Sequence, residues 1–182
     1  MRYWRGAGPA SCTPHACLAH PSTRRNPFMI IKPGDFDHPQ VTALLRLHLQ
    51  GMQADSPPGS VFALDLSGLQ RPDIAFFTAW DGEALLGCGA LRELSPTHGE
   101  IKSMRTAAEH LRRGVGSRLL EHLLALARER GYSRVSLETG SGEAFDPAVA
   151  MYRRHGFVSG ECFGGYTASG FNQFLHLDLA AR

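Results

Sequence analysis

Apolar positions along the chain follow two different periods. Between Pro39 and Met52, Val41, Leu44, Leu45 and Leu49 recur at helical spacing with His48 among them, and Asp37 is the expected N-cap. Leu119, Leu120, Leu123, Leu124 and Ala127 form a single stripe that predicts a strong helix, stopped by Gly131. Asp146-Pro147 opens another helix through His155, with proline at its first position. A short helix is expected over Val61–Leu69, after the break at Ser56-Pro57-Pro58-Gly59. Strand patterns cover residues 28–33, Ile74–Trp80, Ala84–Leu94, Glu100–Thr106, Arg134–Glu138 and the end of the chain at Phe174, Leu175, Leu177 and Leu179. Asp81-Gly82 reads as the hairpin turn between the second and third of these, and Gly156-Phe157-Val158 as a turn into one more strand. Helices and hairpins alternate irregularly and no internal repeat is visible, so the fold class is α/β (α+β), with a mixed sheet.

Composition narrows the picture. The chain has 182 residues, 43% hydrophobic and 20% charged, which fits one globular domain and excludes a wholly disordered or fibrous chain. No apolar run approaches membrane-spanning length. Four cysteines at irregular spacing do not make a disulfide scaffold and fit a reducing cytoplasm. The formal charge of +2 is unevenly spread: residues 1–27 hold Arg2, Arg5, Arg24 and Arg25 and no acid, leaving the remainder net acidic. Pro9, Pro14 and Pro21 interrupt that segment, which has no apolar period. The expected division is therefore a disordered or non-native extension over 1–27 and one domain over 28–182, with Met29 opening the first strand. Cys12, His15, Cys17 and His20 could in principle ligate zinc, but their spacing is cramped and they lie in that extension, so no metal is expected.

The most informative segment is a strand followed by Arg112-Arg113-Gly114-Val115-Gly116-Ser117 and a helix. Glycines there let the backbone turn sharply and expose its N–H groups at a helix N-terminus, which attracts anions. Arg112, Arg113 and Arg118 add positive charge at the same place, so a phosphate or pyrophosphate is the expected ligand. The segment lacks the Gly-Lys-Ser/Thr ending of a triphosphatase loop and the three-glycine spacing of a dinucleotide fingerprint. The arginines crowd one turn rather than forming a stripe, which argues against nucleic acid.

With Ala148, Tyr152, Gly156 and Phe157 downstream at Ala-x-x-x-Tyr-x-x-x-Gly-Phe spacing, the chain resembles the GNAT superfamily of acyl-CoA N-acyltransferases. In that family an Arg/Gln-x-x-Gly-x-Gly/Ala loop cradles the pyrophosphate of coenzyme A. Gly114, Val115 and Gly116 match its core, while Leu111 stands at the Arg/Gln position with Arg112 next to it. The resemblance covers residues 29–180. EIKSMRT, LETG and NQFLHLDL look like small bacterial members of the family. It implies a mixed, mostly antiparallel sheet flanked by helices, with acetyl-CoA as co-substrate and an amine attacking the thioester directly.

The resemblance also implies roles. The loop Arg112, Arg113, Gly114, Val115, Gly116 and Ser117 would hold the cofactor's phosphates. Met104, Arg105 and Thr106 would lie on a strand that splays from its neighbour, with the Met104 backbone N–H facing the thioester oxygen. Tyr152 would protonate the leaving thiolate, since a phenol is a donor of suitable pKa. For the general base, Glu100 and Glu138 both qualify, with Lys102 placed to neutralise either. His98, His110 and His155 are further titratable groups, read as surface or satisfied core residues. The acceptor is a small-molecule or peptide amine. Its pocket is expected from the first helices, the Pro57-Pro58-Gly59 loop and Phe163-Gly164-Gly165-Tyr166, whose aromatics favour a small amine or amino-acid-like substrate. The competing reading is a non-catalytic acyl-CoA-binding or protein-interaction module of the same fold. A homodimer is a known option for such folds, though no segment marks an interface.

Overall fold

A computed structural model describes residues 29–179. The extension at 1–27, with its Cys/His cluster, lies outside the described residues. Strand β1 (Ile30–Pro33) leads to helix α1 (Pro39–Asp55) and the one-turn α2 (Leu66–Leu69). Strands β2 (Ile74–Asp81), β3 (Ala84–Ser95) and β4 (His98–Thr106) then form a meander. Helix α3 (Val115–Glu129), β5 (Arg134–Gly140), α4 (Asp146–Arg154), β6 (Val158–Ser159) and β7 (Asn172–Asp178) complete the domain. The seven strands order β1-β2-β3-β4-β5-β7-β6, and only the β4–β5 pair is parallel. The mixed, mostly antiparallel sheet is thus present.

Each sheet face has its own core. On one face, Leu120, Leu123, Leu124 and Ala127 of α3 and Val149 and Tyr152 of α4 pack on Leu91, Val135 and Leu137. On the other, Val41, Leu44 and Leu45 of α1 and Leu69 of α2 cover Phe76, Trp80, Cys88 and Ala90. The predicted stripes are the buried faces of the helices, as expected when packing rather than propensity holds a helix.

Two local expectations are corrected. The N-cap of α1 is His38, not Asp37: Pro39 occupies the first helical position, so the residue before it takes the extended cap geometry, and its Nδ1 accepts from the Gln40 N–H at 3.3 Å. The predicted helix over Val61–Leu69 shrinks to Leu66–Leu69, because Asp65 caps it by accepting from the Gly68 N–H at 2.7 Å. Residues 61–65 run as an irregular segment instead. No helix among the described residues is long and apolar enough to cross a membrane.

Candidate active site

The sheet opens at its centre. β4 and β5 pair only through His98–Arg134, Gly99–Val135 and Glu100–Ser136, after which they part, β4 running on to Thr106 against β3 and β5 to Gly140 against β7. Backbone groups that would complete a parallel ladder are left available along both edges. A bulge assists the divergence. Cys88 opposes Arg105 and Ala90 opposes Lys102, so Ser103 and Met104 face the single residue Gly89. Ser103 adopts φ 51° there, a conformation rare for a residue with a side chain, and such positions concentrate at functional sites.

A cleft of about 160 Å³ follows this opening. Met104 and Arg105 of β4, Glu138 of β5 and Tyr152 of α4 line it, so four of the candidate residues meet in one cleft. His48, Gly51, Met52 and Asp55 of α1 and Phe62 of the following segment also line it. Tyr152 is deeply buried, which pushes its phenol well above the ordinary range and keeps the proton on it.

The two candidate carboxylates occupy unlike surroundings. Glu100 is fully buried, 3.4 Å from Lys102 Nζ and 3.5 Å from an Arg92 guanidinium nitrogen, and it accepts a short hydrogen bond from the Tyr166 hydroxyl. It does not line the cleft. Glu138 does, and its pKa is pushed up to about 7, by burial first; Lys102 pulls it back and Glu100 raises it further. Lys102 Nζ also donates to the Phe62 carbonyl at 3.0 Å and to Tyr166 Oη at 2.6 Å. Glu100 and Lys102 thereby join β4 to the segments that carry Phe62 and Tyr166. Phe62 and Tyr166 add an edge-to-face ring contact at 5.0 Å.

The glycine turn lies beyond the end of β4. Gly114 has φ 80° and is the N-cap of α3, with no side-chain cap. The first intrahelical bond runs from the Arg118 N–H to the Gly114 carbonyl, so the N–H groups of Val115, Gly116 and Ser117 precede the ladder. A Cβ on Gly116 would stand 3.0 Å from Met151 Sδ and 3.7 Å from Thr106 Oγ1, so the turn sits tightly against α4 and the end of β4. Arg112 holds φ 60° in the same turn, and Arg113 lines a small neighbouring cavity with His110 and Val115. Arg112, Arg113, Gly114, Val115, Gly116 and Ser117 are therefore outside the cleft proper, at its β4 end.

His48 and Ser103 escape a sequence-based reading of the site. By spacing, His48 is a member of an apolar stripe and Ser103 one more strand position; only the cleft reveals them. Cys88 is buried and its thiol is pushed up to about 12 by burial, consistent with a packing role. Among the described residues no group of three or more His, Cys, Asp or Glu is placed to hold a metal ion.

The acetyltransferase (GNAT) family matches residues 41–157. The N-acetyltransferase YsnE of Bacillus subtilis is 50% identical over 138 residues, covering 76% of this chain and 91% of that protein. An acyl-CoA N-acyltransferase structure from Klebsiella pneumoniae superposes with a TM-score of 0.70 at 25% identity, covering 84% of this chain and 98% of the other. A GNAT acetyltransferase from Elizabethkingia anophelis, solved with acetyl-CoA bound, shares the fold with a TM-score of 0.62 at 17% identity, over 84% and 99% of the two chains.

Proposed function

The chain belongs to the acetyltransferase (GNAT) family and is an N-acetyltransferase, and from that premise we propose how its residues divide the reaction. Acetyl-CoA, when bound, supplies the activated acetyl thioester. The uncapped N–H groups of Val115, Gly116 and Ser117, with Arg112 and Arg113 beside them, suit its phosphates. The unpaired edge of β4 at Met104, Arg105 and Thr106 suits its amide-bearing arm. The bulge takes Met104 out of the β3 ladder and supports its N–H as the donor to the thioester oxygen.

One observation carries the catalytic reading: Glu138 and Tyr152 line the same cleft, one with a carboxyl poised near neutrality and the other with a phenol that keeps its proton. Glu138 takes the proton from the acceptor ammonium. The amine nitrogen then bonds to the acetyl carbon as the carbon–sulfur bond breaks. Tyr152 gives its proton to the departing sulfur, and the second proton shed by the nitrogen as it becomes an amide restores the phenol. Glu100, buried behind Lys102, holds the acceptor segments rather than acting as base. The acceptor is a small-molecule or peptide amine. The exposed free thiol of Cys162 suits a reducing cytoplasm.

A thiol-release assay with acetyl-CoA and a panel of amines and peptides tests this, paired with thermal melts. Turnover with an acetyl-CoA-dependent rise in Tm is expected. A rise in Tm without release for any acceptor would favour the binding module, and no rise at all would overturn cofactor binding.

A further inference from the structure

Two buried polar groups that line the cleft have no hydrogen-bond partner among the described residues, and an exposed arginine that lines it with them makes no ion pair there. His48 is 8% exposed and its Nδ1 is buried without a hydrogen bond. Ser103 is 9% exposed, and its Oγ is buried and unpaired in the same way. Arg105 makes no ion pair with any described residue, and a guanidinium nitrogen lies 3.8 Å from where a Gly51 Cβ would stand, one helical turn from His48. All three residues line the cleft that contains Glu138 and Tyr152.

Buried polar groups are nearly always satisfied, and the exceptions gather where a ligand completes them. His48 stands where the α1 stripe should be apolar, beside Val41, Leu44 and Leu45. Its pKa is pushed down to about 4, by burial first and then by the charges of Arg105 and Lys102, so both cations act on the ring. A field that repels a proton there attracts an anion. Lys102 is already committed to Phe62, Tyr166 and Glu100, which leaves Arg105 as the available charge.

We propose that the acceptor amine also carries a carboxylate, which Arg105 binds and which His48 and Ser103 complete by hydrogen bonding. Arg105 supplies one positive charge, and Glu138 and Asp55 line the same cleft, so a singly charged carboxylate fits better than a phosphate dianion. Glu138 faces the ammonium end. The acceptor is therefore a small amino-acid-like zwitterion. This rests on the reading of Glu138 and Tyr152 given above.

Matched sets of an amino acid, its amide and its decarboxylated amine, assayed for thiol release, provide the test. The acid should exceed both analogues in kcat/KM by at least about tenfold, as expected for a charged hydrogen-bonded pair. Arg105→Met and His48→Gln should each collapse that ratio towards one. Calorimetric binding of the N-acetylated acid and N-acetylated amide to the protein with CoA gives a reading independent of turnover, and the acid should bind more tightly. Equal turnover and equal binding of acid and amide would overturn the carboxylate site while leaving the acetyltransfer mechanism standing. A loss of acetyl-CoA affinity in Arg105→Met matching the loss for the acid would also overturn it, by giving Arg105 to the donor's phosphates. Failure of every acceptor to turn over, with the acid still preferred in binding, would instead count against Glu138 and Tyr152.

Discussion

Lys102 Nζ donates to Tyr166 Oη at 2.6 Å, across 64 residues of sequence, and the Tyr166 hydroxyl donates in turn to Glu100. This relay pins the 160–171 loop to the floor of the sheet. Tyr166→Phe removes both bonds and leaves a buried carboxylate short of a donor. A loss of about 1–3 kcal/mol in urea unfolding is expected. The KM for the acceptor should rise, while the acetyl-CoA thermal shift stays near wild type. An unchanged unfolding midpoint would show that the relay contributes no stability.

Turnover should depend on Glu138 ionisation. With its carboxyl pushed up to about 7, chiefly by burial, the rate should fall as pH drops through about 7, because a protonated carboxyl accepts no proton. Glu138→Gln should remove that limb and lower kcat by roughly 10²–10⁴-fold. A retained limb in the variant would assign the base elsewhere.

The same group carries a stability signature. Its folded pKa lies above the ordinary value of 4.5, so the folded state favours the protonated form. Its contribution is full below about 4.5 and is lost as pH rises towards about 7. Denaturant midpoints of the Glu138→Gln variant should therefore fall less than those of wild type across that window.

Tyr152→Phe keeps the ring in its pocket against Phe157 and removes only the hydroxyl. A fall in kcat of about 10²-fold is expected, with little change in the acetyl-CoA thermal shift. Equal losses in both would make Tyr152 a binding residue rather than an acid.

Gly114→Ala places a side chain at φ 80°, although the space around it is open. The expected cost is about 1–2 kcal/mol of stability, from backbone conformation alone. The N–H groups of the α3 turn should also shift, shrinking the acetyl-CoA thermal shift. A variant with wild-type melting and wild-type response to acetyl-CoA would argue against the turn as the phosphate site.

Local rules make much of this protein legible from its residues in order. The α3 stripe, its stop at Gly131, the Asp81-Gly82 hairpin and the glycine turn depend on neighbours within a few positions, and each appears in the fold. The candidate cofactor loop is readable for the same reason: a glycine before an uncapped helix announces its backbone chemistry locally. Choosing between Glu100 and Glu138 is beyond such rules. Each lies on a short strand pattern, Glu100 two residues from Lys102 and Glu138 beside Thr139, and nothing local separates their roles. Only the sheet brings Phe62, Lys102 and Tyr166 together around Glu100, and only the early end of β4–β5 pairing leaves Glu138 lining a cleft. His48 makes the same point. Spacing puts it on the inner face of α1, but whether that face meets more core or the open side of a cleft depends on a divergence of strands 50 and more residues away. Desolvation and long-range charge set the chemistry of these side chains, and both come from tertiary packing rather than from the order of residues.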